Sequence, residues 1–170
     1  NTLPTDSWAG GSGTWDVNNS ANTIWKNINS LSTYYVDGDA VIFNNTVGSG
    51  GVVTLNSTVS PYSVTVTNPT ADYIISGSGA ISGTTSLTKS GAGKLTLATT
   101  NTYTGATVIN GGTLQIGDGV TDGSIASTYG IVDNGSLVFN VAGHYVNGIP
   151  ISGAGSVTKE GAGIMCLNTN

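Results

Sequence analysis

Residues 81 to 97 read ISGTTSLTKSGAGKLTL and residues 151 to 167 read ISGAGSVTKEGAGIMCL, a gap-free match at an offset of 70 with 10 of 17 positions identical. A unit that recurs inside one chain marks an array, in which each unit buries its apolar face on its neighbours. The unit itself is made of short segments with a period of two: Ser86 to Lys89, Lys94 to Ala98, Ala106 to Asn110, Gly112 to Gly117 and Ser136 to Val141. In Lys94-Leu95-Thr96-Leu97 the leucines share one face, read as core, and Thr96 takes the other, read as solvent-facing; Gly112-Thr113-Leu114-Gln115-Ile116 repeats the arrangement. Gly91-Ala92-Gly93, Asn110-Gly111-Gly112 and Asn134-Gly135 supply the sharp corners between segments. Stacked parallel coils from about residue 50 onward, roughly three per repeat unit, are the predicted architecture.

Composition supports strands over helices. Gly, Thr, Ser and Asn make up 87 of the 170 residues, and no window has helical periodicity with caps. With 38% hydrophobic residues and 8% charged, the chain is too apolar and too weakly charged for disorder. Four lysines and no arginine on a chain of net charge −5 cannot neutralise a phosphate backbone or an anionic bilayer, so neither nucleic acid nor membrane is an expected partner. A first residue Asn1 in place of Met fits export through a removed signal peptide. One cysteine excludes an internal disulfide.

Residues 1–45 differ from the rest, with Trp8, Trp15, Trp25 and the Tyr34-Tyr35 pair set among Gly, Asn and Ser. They are read as a Trp-rich cap or lead-in, followed by a solenoid over 46–170 whose repeat copies start near 81 and 151. A solenoid end exposes strand edges and an apolar cross-section, so a dissimilar cap is expected there. Trp8, Trp15 and Trp25 then have two readings: the small core of that cap, or an exposed platform for carbohydrate contact.

The stretch Gly79 to Gly119, with Ser86-Leu-Thr-Lys-Ser-Gly-Ala-Gly93, Lys94-Leu-Thr-Leu97, Asn101-Thr-Tyr-Thr-Gly105 and Ile109-Asn-Gly-Gly-Thr-Leu-Gln-Ile-Gly117, closely resembles the autotransporter-associated β-strand repeat, also called the passenger-associated transport repeat. The resemblance is strong over about residues 70 to 170. It implies an all-β, right-handed parallel β-helix in a very large bacterial protein, secreted or displayed at the cell surface. The family is defined by architecture and export, and no catalytic motif carries over. The second copy stops at Asn170, before a second Thr-Tyr-Thr-Gly, and no membrane-barrel segment follows, so the sequence reads as part of a longer protein.

Searching for chemistry yields little. No G-x-S-x-G is present, and His144 is the one imidazole available to activate a serine. One His and one Cys cannot build a zinc site. Glycoside hydrolysis needs paired carboxylates; Asp37 with Asp39, and Asp118 with Asp122, are the close pairs in sequence, the first read as a turn and the second as a weak calcium candidate. Cys166 aligns with Thr96 and is expected to point outward. No enzyme activity and no cofactor are expected. The reading is a non-catalytic extracellular module, a stalk, adhesin or fibre segment, with a carbohydrate-binding head as the alternative and a polysaccharide-degrading β-helix behind it. End-to-end self-association, or continuation of the same chain, is the expected partnership.

Overall fold

The computed structural model describes residues 3–45 and 50–168. Asn1 and Asn170, read above as a processed start and a mid-repeat end, lie outside the described residues. So does the beginning of the segment assigned to the solenoid, at 46–49.

Among the described residues all regular structure is β, and the chain winds as a solenoid of about six turns. One sheet stacks Thr5–Trp8, Ala40–Asn44, Ser63–Thr67, Ser86–Ser90, Thr107–Ile109, Ile131–Asp133 and Ile151–Ser152, each parallel to the next. A second sheet stacks Gly13–Thr14, Gly51–Thr54, Tyr73–Ser76, Lys94–Ala98, Thr113–Ile116, Ser136–Asn140 and Ser156–Glu160 in the same manner. The third side is irregular. It consists of the isolated bridges Val59 to Ile81 and Thr100 to Ser124, and becomes a ladder only where His144–Asn147 pairs with Ile164–Leu167.

Parallel stacking in register places each inward side chain on its equivalent in the next coil. Val53, Ile75, Leu97, Ile116 and Phe139 form one such column, and Tyr73, Leu95, Leu114 and Leu137 form another. All but Tyr73 are aliphatic or phenyl, and all nine are fully buried. Burying a side chain of this size contributes about 1.5–3 kcal/mol. The columns are the core.

The first coil is closed below by an antiparallel insertion. Trp25–Lys26 pairs with Thr5–Trp8, and Ser32–Thr33 pairs with Trp25–Lys26, which covers the open edge of the first sheet. The sheets run through position 45 without a change of architecture, because Ala40–Asn44 lies between Thr5–Trp8 and Ser63–Thr67. The aromatic core of the cap likewise continues into the coils, with Phe43 against Tyr73 at 5.4 Å between ring centroids.

Two expectations are corrected. The 70-residue offset is three coils plus one face: Ser86–Ser90 belongs to the first sheet, whereas its repeat partner Ser156–Glu160 belongs to the second. Lys94–Ala98 accordingly lies in the second sheet and Ile164–Leu167 in the third. What repeats is a strand, corner and strand that serves at either corner. Thr96 does sit on the outer face, yet it is 2% exposed. Ile74 and Gln115 flank it in the adjacent coils at the strand spacing of about 4.8 Å. The Gln115 amide also turns back to donate to the Gly117 carbonyl at 2.8 Å.

Leu97→Asp is therefore expected to cost several kcal/mol by placing a carboxylate among Ile75 and Ile116. Thr96→Asp should also be clearly destabilising, while Thr158→Asp, exposed on the last coil, should stay within about 0.5 kcal/mol. Urea melts of the three variants check the facing; equal losses at Thr96 and Thr158 would contradict it. Trp25→Ala should cost about 3–5 kcal/mol. Trp25→Phe should cost far less, because the indole N–H of Trp25 is buried with no partner.

Candidate functional site

The three tryptophans do not form a platform. Trp8, Trp15 and Trp25 are each 0% exposed, because alternate positions of the first coil and its insertion point into the solenoid mouth. Trp25 lies 5.0 Å from Trp8 and 5.5 Å from Trp15 between centroids, edge-to-face in both cases, and Tyr35 lies 5.3 Å from Trp15. Such packing adds stability beyond buried area. A sugar ring has no access to these faces, and the carbohydrate reading of these three residues is withdrawn.

Asp118 and Asp122 are brought to one loop and given different tasks. Asp118 Oδ1 accepts the backbone N–H groups of Val120 and Thr121, at 2.9 and 2.6 Å, and so holds its own turn. Asp122 reaches the next coil instead, where its carboxylate accepts the N–H of Ala142 at 2.7 Å and of Gly143 at 3.0 Å. Both carboxylates are occupied by amides. Among the described residues no cluster of three His, Cys, Asp or Glu side chains could hold a metal ion.

Asp37 and Asp39 separate in the same way. Asp37 is exposed and accepts the Tyr35 hydroxyl at 2.8 Å and the Ser60 amide of the next coil at 2.7 Å. Asp39 turns inward, accepts the Val36 amide at 2.9 Å and is 8% exposed. Its partner is one the sequence conceals: Asp6, on the inward face of the first strand and 3% exposed. The two carboxyls line an opening of about 400 Å³ at the head of the solenoid, beside Leu3, Ile28, Tyr34 and Val36. Burial, then the charge of Asp39 and a hydrogen bond to it, push Asp6 up to about 7.

A second juxtaposition was also hidden. Cys166 points outward as expected, and its Sγ lies 3.5 Å from Nε2 of His144, which occupies the preceding coil. Val146 is its register partner and His144 pairs with Ile164, so the thiol and imidazole sit diagonally on the third face. Neither has a further hydrogen-bond partner among the described residues, and no second group orients the ring. The separation of 22 residues is one coil of 20 plus a two-residue step along the strand.

The Asp6 and Asp39 pair sets a pH dependence. Unfolded, Asp6 titrates near the ordinary aspartate value of about 3.9; folded, it holds its proton to about 7. Its contribution to stability is thus complete below about pH 4 and is lost as pH rises through 7. Asp6→Asn is expected to flatten the slope between these values and to raise Tm at pH 8 by a few degrees, with little change at pH 4. An unaltered slope in thermal melts across pH 4 to 8 would show that the pair is not coupled to folding.

The geometry described so far is that of a stacked-coil scaffold. Residues 87–116 match the family model described as the passenger-associated-transport-repeat. The chain is also similar to a curated relative, the adhesin BmaC autotransporter of Brucella suis biovar 1 (strain 1330), with 53% identity over 58 residues. That match takes in 34% of this chain and 2% of the relative, so the chain spans a small fraction of that protein's length. No solved structure matches the chain. The segment from Leu87 to Ile116 comprises a strand of the first sheet, the Gly91 to Gly93 corner, a strand of the second sheet and the coil stacked above them. The chain is a β-solenoid that carries the passenger-associated transport repeat.

Proposed function

We propose that this chain is a non-catalytic spacer segment of a secreted or surface-displayed protein, a stiff length of stalk that holds other parts of that protein away from the cell. The observation that supports it best is the uninterrupted parallel ladder, in which seven strands of one sheet and seven of the other link every coil to the next along a single axis. Backbone hydrogen bonds in such a stack run along the direction of load. The outer surface also suits exposure outside a cell: it is rich in Thr, Ser and Asn, and one of the four lysines that a trypsin-like protease would need, Lys89, is fully buried. The family match and the autotransporter relative support display or secretion as its setting.

A stalk made of nearest-neighbour units has a mechanical signature. Pulled from its two ends, the chain is expected to yield coil by coil, each event beyond the first coil releasing 19 to 24 residues, or about 7 nm of contour. A single collapse at low force, with no intermediate lengths, would be incompatible with the spacer role. The name of the relative favours a second reading, in which the surface itself adheres. Saturable binding of the chain to cell-matrix proteins or glycans, with the mechanical behaviour unchanged, would select it.

A further inference from the structure

Asp6 and Asp39 meet in an opening that a spacer has no use for. The opening, about 400 Å³, lies between the first coil and its insertion: the two aspartates come from the coil, and Asn27, Ile28, Thr33 and Tyr34 come from the insertion. It is a recess inside the head and not an unstacked face of the solenoid. Its volume falls within the roughly 300–1,000 Å³ of small-molecule sites.

The two carboxyls are not equally provided for. Asp39 accepts the Val36 N–H at 2.9 Å. Asp6, the more deeply buried, meets no N–H donor among the described residues; the group it meets is the carboxyl of Asp39. A buried carboxylate ordinarily sits against amides or a cation, as Asp118 and Asp122 do against the amides of their own and the next coil. No lysine lines the recess. Lys26, in the strand paired with that of Asp6, falls on the opposite face with Ser7 and donates to the Ser32 hydroxyl at 2.7 Å. The other titratable groups packed around the pair are Tyr34, Tyr35 and Asp37, and Asp37 is held by the Tyr35 hydroxyl and the Ser60 N–H.

The rest of the wall is apolar. Leu3, Ile28, Tyr34 and Val36 line it, and all four are exposed. A single positive charge on an apolar stem answers both features. A calcium ion would need about six to eight oxygen ligands, which two carboxyls among aliphatic neighbours do not supply. We propose that the recess between the first coil and its insertion is a binding site for a small aliphatic amine, whose ammonium lies between Asp6 and Asp39 while its stem lies along Ile28, Tyr34 and Val36. The occupant is a free amine and not a lysine of a partner chain, because both carboxyls are recessed below the rim and the space is that of a small molecule. The inference adds a ligand to the head and does not depend on the spacer or adhesive reading.

n-Hexylamine titrated calorimetrically into the 170-residue chain at pH 8 is expected to bind saturably and to shift the NMR amide signals of residues 3–6 and 27–39. Each methylene removed from the stem should weaken binding about threefold to fourfold. 1-Hexanol, with the same stem and no charge, should not bind. Affinity should rise from pH 5 to pH 8, because the ammonium takes the place of the proton that Asp6 otherwise holds to about 7. Asp6→Asn and Asp39→Asn should each weaken binding about tenfold or more, while Glu160→Gln, exposed on the last coil, should leave it unchanged. No saturable binding, equal binding of hexanol, or an affinity indifferent to Asp6→Asn would each overturn the proposal. Tighter binding of calcium ion than of hexylamine would overturn the assigned ligand. Tighter binding of the peptide acetyl-Leu-Lys-Leu-amide would overturn the assigned source and point to a partner chain.

Discussion

Every other feature of this molecule depends on the axial hydrogen bonding of one coil to the next. Strands stacked in parallel at about 4.8 Å leave each residue directly above its counterpart, so a side chain is judged against the residue one coil away more than against its sequence neighbours. Like therefore settles on like: Leu95 on Leu114, Leu97 on Ile116, Val41 on Val64. The same spacing forces backbones together at the corners. Gly123, for example, lies where a Cβ would come within 1.9 Å of the Leu97 carbonyl oxygen. The high glycine content belongs to these close approaches.

Polar residues inside the solenoid follow the same logic. A buried amide or hydroxyl is tolerated where the neighbouring coil or its own turn supplies a partner. Asn101 sits between coils, accepting the Ile81 N–H at 2.9 Å while donating to the Thr99 carbonyl at 3.0 Å. Asn68 donates to the carbonyls of Ala71 and Lys94. Tyr103, Thr107 and Thr128 join their hydroxyls in a buried chain that ends on the Gly105 carbonyl at 2.6 Å. A chain rich in Thr and Asn can therefore place polar side chains beside its aliphatic columns, provided the coils stay in register.

Strand alternation was legible in the sequence because it is local. Leu95 and Leu97 face inward, as do Met165 and Leu167 at the aligned positions, and Cys166 faces out. Relations across coils were not legible, because coil length varies between 19 and 24 residues with the irregular third side, and reaches 35 in the first coil, which holds the insertion. That variation accounts for the extra face between repeat copies. It also conceals the meeting of Asp6 with Asp39, and of His144 with Cys166, since neither separation can be read as a contact until the length of each coil is known. Burial of Thr96 escaped for a related reason: alternation assigns a face, while the neighbouring coils decide whether that face is wet.

Lys89 shows how such a stack can keep its register. An aliphatic residue in its place would add to the column formed by Val66 and Ile109, and would accept any neighbouring coil that offered apolar surface. The lysine instead requires carbonyl oxygens at defined points, and finds them on Ser90, Gly91 and Gly111. Burial lowers its pKa to about 8, with the Asp72 charge acting in the opposite direction. The ammonium therefore remains mostly protonated at neutral pH, at some cost in desolvation. That cost is offset when the Gly-Gly corner of the next coil arrives in position, and a slip that set Thr113 in the place of Gly112 would bring a side chain against Nζ. Stability forgone at one buried cation is thus converted into selectivity for the right neighbour, which a fold made of near-identical coils otherwise lacks.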